Sequence, residues 1–253
     1  MKRVLAYPLS IIHYSILVVL LLLFHPVQVI ANYLSGYTAH KRIVDLLNFF
    51  LTLNFYTLLC RPSFRGFRKL PSDRPLIIVA NHQSMFDIPP IIWGFRKHHI
   101  KFISKKELGR NLPSISYNLK KGGSVLIDRD SGAQAIREIL RLGRLMEDKK
   151  YSVCIFPEGT RSRDGVVKQF RSAGFKTLLK AAPSALVVPF VIESNYKLHR
   201  YGMFPLNVGI HLKYTVLDPI EPRGQSDEEL LDRVREEILR VMSQIPARKN
   251  EPL

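Results

Sequence analysis

Between Leu76 and Val216 the chain alternates short apolar runs with longer stretches of mixed character. Leu76 to Ala80, Ile100 to Ile103, Val125 to Ile127, Tyr151 to Phe156 and Leu186 to Ile192 are short and rich in β-branched or aromatic residues. Runs of that length and composition predict buried strands. Val208 to Val216 alternates apolar and polar positions and predicts another strand. Helical spacing fills the intervals. Ile91 to Arg96 continues a helix, and Ala133 to Met146 places Ile136, Ile139, Leu140 and Leu145 on an inner face, with Arg137, Glu138, Arg141 and Arg144 outside. Phe170 to Ala182 is helical, with Ala173-Gly174 as a close packing point. Ser226 to Ser243 opens on Ser226-Asp227-Glu228-Glu229, a capping box with Ser226 as the cap. Pro189 argues for an edge strand or a bulge in its run. Strands alternating with helices predict an α/β fold, a mostly parallel or mixed sheet flanked by helices on both faces.

Two further apolar runs precede this pattern. The first centres on Ile16 to Phe24; the second, Ile43 to Cys60, carries Asp45, Asn48 and Asn54. Neither is an uninterrupted apolar helix of the roughly 20 residues that usually span a bilayer. The chain therefore divides into residues 1–60, hydrophobic helices forming a membrane hairpin or a monotopic anchor set apart from the sheet, and residues 61–253, the α/β domain. Polar residues in the second run favour helices lying in one leaflet. Arg61-Pro62 through Arg74-Pro75 breaks both periodicities and reads as a hinge. Lys2 and Arg3 flank one end of the hydrophobic region, and Arg61, Arg65, Arg68 and Lys69 flank the other, so both ends are expected on the cytoplasmic side of an inner or plasma membrane. No small-x-small cleavage site before Tyr33 supports a secretory signal peptide.

Charge sharpens this expectation. The formal net charge is +17, and the first 220 residues hold the excess, with 32 Lys and Arg against 13 Asp and Glu. Nucleic acid is the usual partner of so basic a chain. Beside a hydrophobic N-terminus, an anionic leaflet or anionic substrates account for it better, and no nucleic-acid partner is expected. Cys60 and Cys154 stand far apart, and no carboxylate or cysteine accompanies His98-His99, so neither a disulfide framework nor a metal site is predicted.

Candidate chemistry sits directly after two of the strands. Asn81-His82-Gln83-Ser84-Met85-Phe86-Asp87 follows the Leu76 run with an imidazole and a carboxylate. Histidine exchanges a proton near neutrality, and a carboxylate on one ring nitrogen leaves the other free to act as a base. In a regular helix, residues five apart diverge by roughly 140°, so the pair can meet only if the segment turns between them. Pro157-Glu158-Gly159-Thr160-Arg161-Ser162 follows the Tyr151 run. Loops beyond the carboxyl ends of strands are where open α/β sheets place their chemistry. By itself the His-Asp spacing fits a surface histidine and a helix-capping Asp87 equally well.

The two loops together, NHQSMFD and FPEGTRS, resemble the glycerolipid acyltransferase family. Ser104 to Leu108 with Pro113 is similar to its Lys-x-Glu-Leu block, Ile127-Asp128-Arg129 to its arginine block and Val187 to Val191 to its proline block, all in the family's order. Where the family usually has an aromatic–glycine pair, this chain has Ser114-Ile115-Ser116. The resemblance implies transfer of a fatty acyl group from acyl-CoA or acyl carrier protein, as substrate rather than cofactor, to the sn-2 hydroxyl of lysophosphatidic acid. It assigns His82 as general base, Asp87 as its orienting carboxylate, and Lys105, Arg129, Glu158, Gly159, Thr160 and Arg161 as acceptor-binding residues. Arg161 is expected on the acceptor's phosphate and Gly159 at a close backbone approach, while an Arg161–Glu158 ion pair is the structural alternative. Lys101, Lys106 and Arg110 are expected to face the membrane or a carrier. Glycerol-3-phosphate or another lysophospholipid remains an alternative acceptor, a Ser84 nucleophile an alternative route, and a basic membrane-surface binding protein or a lipid hydrolase an alternative class.

Overall fold

A computed structural model describes residues 2–128 and 130–243. Seven strands form one sheet: β1 (Arg61–Arg65), β2 (Leu76–Ala80), β3 (Lys101–Lys105), β4 (Val125–Ile127), β5 (Val153–Ile155), β6 (Leu186–Glu193) and β7 (His211–Val216). Their order is β1-β7-β6-β2-β5-β3-β4, parallel except for β6 against β7. The sheet is therefore mixed and mostly parallel, as the alternating pattern predicts. β2 lies at its centre and is buried throughout, which explains its unbroken apolar run. Its side chains still divide by parity: Leu76, Ile78 and Ala80 enter one core, Ile77 and Val79 the other.

Helices cover both faces. The first core packs beneath α1 (Lys2–Leu53) and α2 (Ile88–Gly94). The second packs beneath α4 (Gly132–Lys149), α5 (Ser172–Ala181) and α6 (Asp227–Ser243); α3 (Ile115–Lys121) lies between β3 and β4 in the chain. Within α4 the inner face is Ile139, Leu142, Gly143 and Met146; Ile136 is exposed, so the expected stripe is rotated. The reason is Gly143. A Cβ there would stand 2.5 Å from Ala181 Cβ, so α4 and α5 approach along a line centred on this glycine. Gly174, the expected packing point, is looser, its added Cβ 3.2 Å from Ile155 Cδ1. α6 begins as predicted: Ser226 N donates to Glu229 Oε2 at 2.8 Å, and Glu229 N to Ser226 Oγ at 3.3 Å.

Three expectations are corrected. Arg61–Arg65 is the edge strand β1, paired in parallel with β7, where Pro62 is tolerated because an edge strand has one unpaired side. β6 lies inside the sheet, so of the two readings of Pro189, edge or bulge, only the edge is wrong. Between the Val187–Ile220 bridge and the Phe190–Val216 pair two residues of β6 face three of the neighbouring chain, a bulge. Leu217 N donates to Pro189 O, and the neighbouring chain leaves the ladder between Val216 and the Val187–Ile220 bridge, so the missing N–H has no opposing carbonyl to disappoint. The N-terminal helices are docked on the domain instead of standing apart.

α1 turns back at Gly36, whose φ of 68° is accessible to glycine and unfavourable for other residues. Its two halves run antiparallel: Asn54 Nδ2 donates to His13 O at 2.9 Å, and the rings of Phe24 and Phe50 lie 6.0 Å apart. One face is fixed to the domain. Leu206 N donates to Ser10 Oγ at 2.8 Å, and Ser114 Oγ to Leu21 O at 2.8 Å. Ser114 itself has φ +61°, and its bonds to His25 and Leu21 of α1 hold it there. The other face is bare, with Ile11, Val18, Val19, Leu22, Leu23 and Ile30 exposed. A helix so long and apolar fits membrane association.

Candidate active site

β6, β2, β5 and β3 are neighbours, and the loops after their carboxyl ends converge on one edge of the sheet. The central loop begins at Asn81, whose side chain extends the β2–β6 ladder by bonding both Ile192 O (2.9 Å) and Ile192 N (2.8 Å). The chain then turns through a 3-10 segment, Met85–Asp87, which folds Asp87 back toward His82. This is the turn that the five-residue spacing requires.

His82 Nδ1 lies 2.8 Å from Asp87 Oδ2. The same oxygen accepts from Gln83 N at 2.8 Å and Ser84 N at 3.0 Å, and Asp87 Oδ1 accepts from Asn195 Nδ2 at 2.7 Å. Asp87 is wholly buried, with its charge met by four donors, and its side chain does not cap α2. As a carboxylate it accepts from Nδ1–H, which leaves the imidazole lone pair on Nε2. The His82 ring stacks on Phe156, with centroids 4.1 Å apart, and its side chain is 18% exposed, enough for an incoming hydroxyl to reach it.

The second loop is latched onto the first. Glu158 Oε1 accepts from His82 N at 2.8 Å, and Oε2 from Lys168 N at 3.1 Å. Ser162 N donates to His82 O at 2.7 Å, so the backbone of His82 is held at both its N–H and its carbonyl. Burial raises the Glu158 pKa above the ordinary carboxylate value, while the bonds from His82 N and Lys168 N pull it back down. Glu158 lies in the expected loop, and its carboxylate faces the protein, where it ties that loop to the backbone of His82. The alternative Arg161–Glu158 ion pair does not form. Arg161 is exposed, and among the described residues its guanidinium makes no ion pair. Gly159 has φ +70°, so the turn itself requires glycine, and an added Cβ would meet Arg171 only at ordinary contact distance.

Thr160 is exposed on the same loop, and Lys105 is exposed at the end of β3. Arg129 lies outside the described residues. Lys101, expected to face a membrane or carrier, is buried instead. Its Nζ donates to Tyr37 Oη at 2.6 Å and sits over the rings of Tyr37 and Tyr151. Lys106 pairs with Asp128, and Arg110 is exposed.

Ser84 is fully buried. Its Oγ accepts from Phe86 N at 3.1 Å and lies 2.8 Å from His199 Nε2, an arrangement that closes the turn and leaves no approach for a carbonyl carbon. His199 is driven toward the neutral form, first by burial and then by Arg161. Sequence reasoning missed Asn195 and Tyr214. Asn195 stands two residues beyond β6, as His82 stands two beyond β2, and a polar residue directly after a buried strand was the available signal. Tyr214 carried none, since its phenol meets Asn195 only across the β6–β7 pair.

A carboxylate-held imidazole with an open nitrogen, beside an exposed guanidinium loop at the carboxyl edge of a parallel sheet, is the arrangement of a general-base site open to an anionic substrate. The chain belongs to the acyltransferase family, whose model matches residues 61–193. The 1-acyl-sn-glycerol-3-phosphate acyltransferase alpha of Ovis aries is 26% identical over 188 residues, 73% of this chain and 64% of that protein. The chloroplastic 1-acyl-sn-glycerol-3-phosphate acyltransferase LPAT1 of Arabidopsis thaliana is 28% identical over 230 residues, 90% of this chain and 61% of that protein. The chain thus spans less than two thirds of the length of these curated relatives. The crystal structure of the 1-acyl-sn-glycerophosphate (LPA) acyltransferase PlsC from Thermotoga maritima is similar across 99% of this chain and 100% of that one, with a TM-score of 0.79 and 26% identity.

Proposed function

We propose that the protein transfers a fatty acyl group from acyl-CoA or acyl carrier protein to the sn-2 hydroxyl of lysophosphatidic acid, giving phosphatidic acid. The observation that carries this reading is the His82–Asp87 pair, 2.8 Å apart, with Nε2 open beside the Arg161 loop. The acceptor hydroxyl gives its proton to Nε2 as its oxygen attacks the thioester carbonyl. The tetrahedral intermediate then collapses, breaking the carbon–sulfur bond, and His82 returns the proton to the thiolate. Asp87 stabilises the transient imidazolium. Arg161 meets the acceptor phosphate as a bidentate donor, Lys105 and Arg129 add positive charge, and the turn through Gly159 and Thr160 shapes the loop that presents Arg161. The bare apolar face of α1 lies in the cytoplasmic leaflet, where a single-tailed acceptor already resides, and the basic surface draws the domain to anionic lipid.

Purified protein in detergent, given labelled acyl-CoA or acyl carrier protein with lysophosphatidic acid or glycerol-3-phosphate, tests the reading. Phosphatidic acid is expected from lysophosphatidic acid, and none from a folded His82→Ala variant. Product from glycerol-3-phosphate alone moves the assignment to that acceptor. Thiol release that needs no acceptor makes the protein a hydrolase, and no turnover with any lysolipid favours a binding protein.

A further inference from the structure

An ionised carboxylate as deeply buried as Asp87 needs donors on both oxygens. Three donors crowd Oδ2, and all three come from its own loop: His82 Nδ1, Gln83 N and Ser84 N. Oδ1 depends on a different part of the chain. After β6, Ser194 adopts φ +73° and reverses the backbone, which brings the fully buried Asn195 beneath the His82 loop. Asn195 Nδ2 donates to Asp87 Oδ1 at 2.7 Å. The amide can face the carboxylate only through its nitrogen, since two oxygens in contact would repel; this orientation follows from the network. Tyr214 Oη holds the amide in place from behind, donating to Asn195 Oδ1 at 3.2 Å and accepting from Nδ2 at 2.9 Å.

We infer that Asn195 is a positioning residue for the reaction, holding the Asp87 carboxylate through Oδ1 so that Oδ2 stays directed at His82 Nδ1, with Tyr214 fixing the Asn195 amide. The inference rests on His82 acting as general base. A carboxylate anchored only at Oδ2 can pivot about that oxygen, and the Oδ1 bond removes this freedom. The same bond draws charge from the carboxylate. Without it, the imidazole is held in line through Oδ2 alone, and Nε2 is less often aimed at an incoming hydroxyl. A second contact braces the same segment, because His199 Nε2 lies 2.8 Å from Ser84 Oγ. The 3-10 segment Asn195–His199 thus grips the back of the loop at Asp87 and at Ser84.

The test uses the full chain in detergent with lysophosphatidic acid and palmitoyl-CoA, or palmitoyl acyl carrier protein if the wild type uses only that donor. Asn195→Leu keeps the branching at Cγ, is somewhat bulkier, and removes the donor. Its kcat is expected to fall about 10- to 100-fold while both KM values stay within about threefold. Tyr214→Phe, which keeps the ring, is expected to lower kcat in the same way by about 3- to 10-fold, and it decides the matter if Asn195→Leu does not fold. A merely structural Asn195 predicts a lower Tm with kcat unchanged; that outcome overturns the inference. His82→Ala, assayed alongside, separates the two levels. Activity retained there removes the general-base reading, whereas loss there with wild-type kcat in the other two variants removes only the role of Asn195.

Discussion

Glu158→Gln tests whether the second loop is held in place by its carboxylate. The perturbation is isosteric, but an amide has one acceptor oxygen where the carboxylate has two. Whichever way the amide turns, either His82 N–H or Lys168 N–H loses its partner and faces an NH2 group, where the wild type has contacts of 2.8 and 3.1 Å. A buried donor left unpaired costs about 1–3 kcal/mol. Part of that is recovered, because burial already disfavours the charged form of Glu158 and glutamine carries no charge. The net loss is therefore set near the lower end, about 1 kcal/mol, or roughly 2–4 °C in Tm for a chain of this size. The kinetic effect is expected to be larger. The latch joins the backbone of the base to the loop of Arg161, so its release lowers kcat and raises the acceptor KM by about tenfold each. Steady-state kinetics with the acceptor varied, beside thermal unfolding in the same detergent, read both quantities. Arg161→Ala is the control, expected to raise the acceptor KM with Tm unchanged. Wild-type kcat and acceptor KM in Glu158→Gln refute the reasoning, as does a KM effect with kcat untouched, which would return Glu158 to direct acceptor binding.

Ser84→Ala is expected to keep kcat within about threefold while Tm falls, because Oγ closes a turn worth about 1 kcal/mol; a loss matching that of His82→Ala would revive a covalent serine route. Lys101→Met is expected to stabilise the protein in a pH-dependent manner. Burial first, then Lys41, pushes the Lys101 pKa down to about 7, with Asp45 opposing. Below about pH 7 both folded and unfolded chains carry the proton and the penalty is complete. From there to about 10.5 only the unfolded chain holds it, so wild-type stability rises with pH across that window. The gain is bounded by about 5 kcal/mol and reduced by the lost contacts with Tyr37 and Tyr151. Thermal unfolding should show it largest below pH 7 and shrinking towards pH 10; an equal gain at both would contradict the buried-lysine reading. Gly143→Ala places a methyl group 2.5 Å from Ala181 Cβ and is expected to cost about 1–3 kcal/mol, read as a lower denaturant midpoint with the acceptor KM unchanged.

The local pattern of residues determined the strands, their alternation with helices and the two loops that carry the chemistry, because those features depend on periodicity and neighbouring side chains. β2 is legible because burial on both faces demands an uninterrupted apolar run, and His82 and Asp87 because their spacing requires a turn that the strand end supplies. The α6 cap is equally local. What the sequence could not determine is whatever depends on a partner distant in the chain. β1 reads as a hinge until β7 lies beside it, and Pro189 leaves edge and bulge equally open until the neighbouring chain bulges out of the ladder at that point. Lys101 looks like a surface charge until the second half of α1 covers it. Glu158 and Asn195 become parts of one site because β5, β2 and β6 are adjacent, an order that no single stretch encodes. The sheet order decides which strand ends share an edge, and so brings three separate polar loops together around the His82–Asp87 pair.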